Sequence, residues 1–164
     1  MRPQYTRVSG LESMVNRIRQ VGARTVIADV EPMIAYWDSD QEALDRGVVP
    51  IVSAVVAVPS VRVVCLATNS LRKPTALPAV EGVQLIYLAL AGKPLRIAPY
   101  RNFPTPGVVV GDQLVTDGAL ARRLRYEFVQ FRPSARPLPA GPWLMAQVGH
   151  AVRPLLFARP EEPG

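Results

Sequence analysis

The chain has 164 residues, 49% of them hydrophobic and 20% charged, with a formal charge of +6. That length suits one ordinary domain and excludes a second full one, and the composition excludes a disordered or fibrous chain. A single cysteine excludes a disulfide framework, and the longest apolar stretch, Val48 to Val58, is interrupted by Pro50 and Ser53 and falls short of the ~20 residues that cross a bilayer.

Met1 to Tyr5 has no apolar centre of the kind a secretory signal carries, so cytoplasmic residence is expected. From Gly10 to Val21, Leu11, Met14, Val15, Ile18 and Val21 recur at helical spacing, with Ser9 as a candidate N-cap and Gly22 as a stop. Arg24 to Asp29 reads as a short buried strand ending in a carboxylate. Asp40 to Val58 predicts a second helix, weakened by Pro50, and Val61 to Ala67 a second strand closed by Thr68-Asn69-Ser70. Val83 to Tyr87 predicts a third strand, Arg96 to Tyr100 one helical turn, and Gly107 to Gly111 a fourth strand followed by Asp112. Thr116 to Leu124 reads as a helix and Tyr126 to Phe131 as a fifth strand. Residues 132–142, with Pro133, Pro137, Pro139 and Pro142, predict an extended connector, and residues 143–164 a C-terminal amphipathic helix and tail packing on the core.

Strands alternating with helices predict an α/β fold: a three-layer sandwich around a parallel five-stranded Rossmann-like sheet, spanning residues 1–131. Ligands on such sheets bind at the carboxyl ends of the strands, where the polar residues of this chain fall. Asp29 and Glu31 are two residues apart, so both carboxylates can face one pocket. Thr68 and Asn69 close the next strand. Lys93 is one of only two lysines among 19 basic residues, which makes it a less casual choice than an arginine. Asp112 and Asp117 flank a short turn after the fourth strand. A nucleophilic carboxylate, a nearby proton donor, a cation and further carboxylates for Mg²⁺ are the parts that phosphoryl transfer through an aspartate requires.

These segments resemble a known family. Val26-Ile27-Ala28-Asp29-Val30-Glu31, Leu66-Ala67-Thr68-Asn69, Lys93-Pro94 and Val109-Val110-Gly111-Asp112-Gln113-Leu114-Val115-Thr116-Asp117 are similar to the four motifs of the haloacid dehalogenase (HAD) superfamily. The last wording, the helix before the first strand, Trp37 and the Lys-Pro pair resemble its capless subclass III, the YqeG-like branch that includes phosphatidylglycerophosphate phosphatases. The resemblance covers about residues 5 to 131. The spacings of 39, 25 and 19 residues between Asp29, Thr68, Lys93 and Asp112 leave no room for an inserted cap.

What the resemblance implies is a Mg²⁺-dependent phosphohydrolase working through an aspartyl-phosphate. Asp29 is then the nucleophile, Glu31 the proton shuttle and Lys93 the cation bridging nucleophile and phosphate. Thr68 and Asn69, with Lys93, bind the phosphorylated substrate, and Asp29, Glu31, Asp112 and Asp117 form the metal set, Glu31 through its backbone carbonyl. Two residues depart from the family's Asp-x-Asp-x-Thr pattern, Glu31 for the second aspartate and Met33 for the threonine. They motivate an alternative: a catalytically impaired HAD scaffold that serves as a binding or assembly partner.

Plainer structural roles stand beside these. Asp29 can cap a turn, Thr68-Asn69 can be one, His150 fits a packed or exposed helix position, and Tyr36 and Trp37 fit a lid or the core. Arg122-Arg123-Leu124-Arg125 fits a solvated helix face. Trp143, Leu144 and Phe157 beside Arg153 and Arg159 fit either a packed terminal helix or a peripheral membrane contact over 143–157. The net charge admits anionic partners, yet no aromatic–basic interleaving points to nucleic acid.

Overall fold

The structure, a computed structural model, describes residues 3–132 and 140–157. In chain order the elements are β1 (Tyr5–Val8), α1 (Leu11–Val21), β2 (Thr25–Asp29), α2 (Gln41–Val56), β3 (Val63–Ala67), β4 (Gln84–Leu88), β5 (Gly107–Gly111), α3 (Ala119–Leu124), β6 (Glu127–Phe131) and α4 (Ala140–Leu156). The six strands form one all-parallel sheet in the order β1-β6-β5-β2-β3-β4. No cap domain is present among the described residues.

The strands read as continuous apolar runs because helices cover both faces of the sheet. Every residue of β3 and β5 is buried. Alternate side chains of β2 point to opposite faces. Val26 and Ala28 pack with Met14 and Ile18 of α1 and Leu44, Val48, Val52 and Val55 of α2. Ile27 packs on the other side with Leu114, Leu120, Phe128 and Phe157. From β2 the chain steps outward through β3 and β4, then crosses back to β5 on the other flank of β2. The strand order reverses there, which opens a crevice at the carboxyl ends of β2 and β5.

Several expectations are corrected. The sheet has six strands, not five: Tyr5–Val8 pairs along the outer edge of β6, with Tyr5 opposite Phe128 and Val8 opposite Phe131. Four residues are too few to show a periodicity, and only their neighbour makes them a strand. The N-cap of α1 is Gly10, in extended conformation and without a side-chain hydrogen bond, rather than Ser9, while the helix does end at Gly22. Asp40 caps α2, its carboxylate accepting from the Ala43 amide at 2.8 Å.

The helix expected from Thr116 opens earlier, with a wide π turn over Leu114–Gly118 before α3, and the amides of Asp117 and Gly118 both donate to the Gln113 carbonyl. At the C-terminal end α4 begins at Ala140, inside the span expected to be connector, and runs on through Pro154. The rest of that connector, 133–139, and the tail from 158 to 164 lie outside the described residues. One side of α4 lies on the π turn: Gly149 lets the backbone approach so closely that a Cβ there would sit 2.9 Å from Leu114. Just past the helix, Phe157 stacks on Phe128 with ring centroids 5.5 Å apart. No helix among the described residues is long and apolar enough to cross a membrane.

Candidate metal centre and pocket

Three aspartates meet at the crevice. Asp29 ends β2, and its Oδ1 accepts from the Val30 amide at 2.8 Å, which orients the carboxylate as the chain leaves the strand. Asp112 follows the last residue of β5, and the π turn folds Asp117 back beneath it. The three offer one carboxylate oxygen each within 4.8 Å of one another. Gly111 makes this possible, because a Cβ at that position would overlap the Asp117 carboxylate. The Asp112 carbonyl accepts from Gln130 Nε2 at 2.8 Å, and Gln130 Oε1 accepts in turn from the Tyr5 hydroxyl at 2.5 Å, so the edge strand supports the loop that carries the acid.

The Lys93 ammonium enters this group from the loop after β4. Its Nζ lies 2.6 Å from Asp117 Oδ1 and 2.8 Å from Asp29 Oδ1, with the lysine side chain 2% exposed and that of Asp117 fully enclosed. Burial alone works against the ammonium, but the two carboxylates outweigh it and hold the Lys93 pKa above its usual value. Burial also raises the Asp29 carboxyl well above the usual range, reinforced by the charge of Asp117 and opposed by Lys93. Asp112 is pushed up to about 7, first by burial and then by Asp117. Its Oδ1 is buried with no hydrogen-bond partner among the described residues.

Beside the acids lies a pocket of about 250 Å³ lined by Asp29, Glu31, Trp37, Thr68, Asn69, Ser70, Lys93, Gln113 and Thr116. Glu31 reaches across it. Its Oε2 accepts from the Thr68 hydroxyl at 2.7 Å, its Oε1 from Ser70 at 3.2 Å, and the Arg72 guanidinium lies 3.8 Å away. The Asn69 amide clasps the main chain of Lys93 from both sides, donating to its carbonyl at 3.0 Å and accepting from its amide at 2.8 Å. Arg72 also donates to the carbonyls of Tyr36 and Ser39, tying the loop after β3 to the loop after β2.

No family model, curated protein or solved structure matches the chain.

Every residue singled out from the motifs thus comes to one end of the sheet, though not always in the expected posture. Asp29, Asp112, Asp117 and Lys93 form one cluster. The side chains of Glu31, Thr68 and Asn69 line the adjoining pocket, with Thr68 turned toward Glu31 and Asn69 toward the backbone of Lys93. Ser70 is a member the sequence did not reveal, since in Thr68-Asn69-Ser70 it has the composition of a turn. Arg72 carried no signal at all, because its partners are backbone carbonyls more than thirty positions away in sequence.

Whether this cluster suits a cation is a question of charge and donor chemistry. Three carboxylates face one ammonium, an imbalance of two negative charges when all are ionised. An unpaired buried charge costs several kcal/mol, and a divalent cation would offset it. The donors are all oxygen, the preference of a hard ion such as Mg²⁺. The orphaned Asp112 Oδ1 is the strongest local mark of a missing partner.

Proposed function

We infer that the chain is a HAD-type, Mg²⁺-dependent phosphohydrolase, with Asp29, Asp112 and Asp117 holding the metal. The observation that carries this reading is the convergence of Asp29, Lys93, Asp112 and Asp117, from the segments that follow three separate strands, into one cluster whose Asp29 and Lys93 line the adjoining pocket. Asp29 attacks the phosphorus of a phosphate ester, forming an aspartyl-phosphate as the bond to the leaving oxygen breaks. Glu31 gives the leaving oxygen its proton. Glu31 then takes a proton from the water that attacks phosphorus, which releases phosphate and restores Asp29. Lys93 offsets charge on the phosphoryl oxygens. Thr68 holds the phosphoryl group, and Asn69 keeps Lys93 aligned. The metal, when bound, supplies charge neutralisation to the same oxygens.

One observation favours a second reading, a catalytically impaired scaffold used for binding. Both Glu31 oxygens already accept hydrogen bonds, one of them from the hydroxyl expected to hold the phosphoryl group. Proton transfer therefore requires Glu31 to let go of Thr68 first. Hydrolysis of an aryl phosphate with Mg²⁺ decides between them. Turnover by the native chain that Asp29→Asn abolishes supports the phosphohydrolase. Absent native turnover, restored in Glu31→Asp with Met33→Thr, supports the impaired scaffold, and equal activity in native chain and Asp29→Asn removes Asp29 from the chemistry.

A further inference from the structure

The helix α4 has two apolar faces, and among the described residues only one of them has a partner. Ala146, Gly149 and the following Phe157 are buried against the π turn and the aromatic cluster of Tyr5 and Phe128. On the other side, Leu144, Val148, Ala151 and Leu155 follow one another at the i, i+4, i+7, i+11 spacing of a single stripe, all of them exposed. Leu144 is 58%, Val148 45% and Leu155 68% exposed, with Trp143 at 54% beside the start of the stripe. Half of the large apolar side chains that are exposed among the described residues sit on this one helix. A contiguous patch of that kind marks a contact with something else.

Charge says what that partner is. Between Ala140 and Phe157 the sequence holds no acidic residue. On the side of α4 that faces the core, His150 lies near Arg7 of β1, Arg132 after β6 and Arg153 of its own helix, and after burial their charges push its pKa down. Arg132 Nη2 lies 3.0 Å from His150 Nε2, and the Arg153 guanidinium stands 5.8 Å over the Tyr5 ring. Within a chain of net charge +6, a helix without acidic residues disfavours a second copy of itself and favours an anionic surface. We propose that the exposed stripe of α4 lies in the interface of an anionic lipid bilayer, with Trp143 at the headgroup level. The proposal stands on this face alone and is independent of whether the pocket turns over a phosphate.

The test is sedimentation of the full chain with vesicles of phosphatidylcholine alone and of phosphatidylcholine mixed with phosphatidylserine. The chain binds the mixed vesicles and is released as salt rises, and the double substitution Leu144→Glu with Leu155→Glu weakens binding at least ~10-fold. Both leucines point away from the core, so circular dichroism and thermal melting of the double variant match the native chain. A milder pair, Leu144→Ser with Leu155→Ser, gives the same direction of effect should the charged pair disturb folding. Failure of the native chain to bind mixed vesicles, or equal binding by both folded variants, overturns the proposal. So does a concentration-dependent dimer that these substitutions abolish, since the stripe would then be covered by a second copy.

Discussion

Lys93 and Asp117 form the most enclosed ion pair among the described residues, 2.6 Å apart with side chains 2% and 0% exposed. The same ammonium reaches Asp29 at 2.8 Å, so one cation ties the end of β2 to the π turn that follows β5. Its removal leaves the three carboxylates without the ammonium that Asp29 and Asp117 share. Lys93→Met is expected to destabilise the metal-free chain by ~3–5 kcal/mol. Added Mg²⁺ should recover more stability in this variant than in the native chain. Urea unfolding with and without Mg²⁺ measures both effects, and a loss below ~1 kcal/mol would show that the pair contributes little.

Asp112 makes stability depend on pH. Its folded pKa of about 7 lies above the ordinary 3.8, so the folded chain binds the proton more tightly than the unfolded one. The associated stability is fully present below 3.8 and is lost as pH rises toward about 7. Asp29, also raised, acts in the same direction. In metal-free buffer the native chain should therefore lose stability relative to Asp112→Asn across that window. Mg²⁺ affinity should rise over the same interval as the competing proton leaves. Thermal melts of both proteins across pH check the first expectation and calorimetric Mg²⁺ titrations the second.

Gly111→Ala tests the close approach of the π turn to β5. The new methyl would overlap the Asp117 carboxylate and force it outward. We expect a loss of ~1–3 kcal/mol and a much smaller rise in melting temperature on adding Mg²⁺. An unchanged response to Mg²⁺ would mean that Asp117 need not sit where it does.

Much of the site was legible because its residues follow apolar strands, and a strand end fixes where the next side chain goes. Asp29, Thr68 and Asp112 could be placed this way from β2, β3 and β5. The short strand β1 was not legible, since Tyr5 to Val8 gains its identity only from β6. The π turn was hidden too: Leu114 to Leu124 has helical spacing, and sequence does not reveal that Gln113 accepts two amides. The postures of Glu31 and Thr68 depend on Ser70 and Arg72 meeting them across the pocket, a long-range relation that no local pattern encodes.

Shortening Glu31 tests that posture. In Glu31→Asp the carboxylate loses a methylene and its reach to Thr68 and Ser70, which frees the Thr68 hydroxyl for substrate. Aryl phosphate turnover is expected to rise ~10–100-fold, the scale on which an ångström of misplacement acts. A fall in turnover would show that the longer side chain is the one this site requires.

Chemical trapping at residue 29 tests the central claim most directly. The chain is mixed with an aryl phosphate and Mg²⁺, quenched in acid and reduced with borohydride, which converts an aspartyl-phosphate to homoserine. Peptide mass analysis should find homoserine at position 29 only when Mg²⁺ and substrate are both present, and never in Asp29→Asn. Phosphate release without that product at position 29 would contradict the assignment of Asp29 as nucleophile.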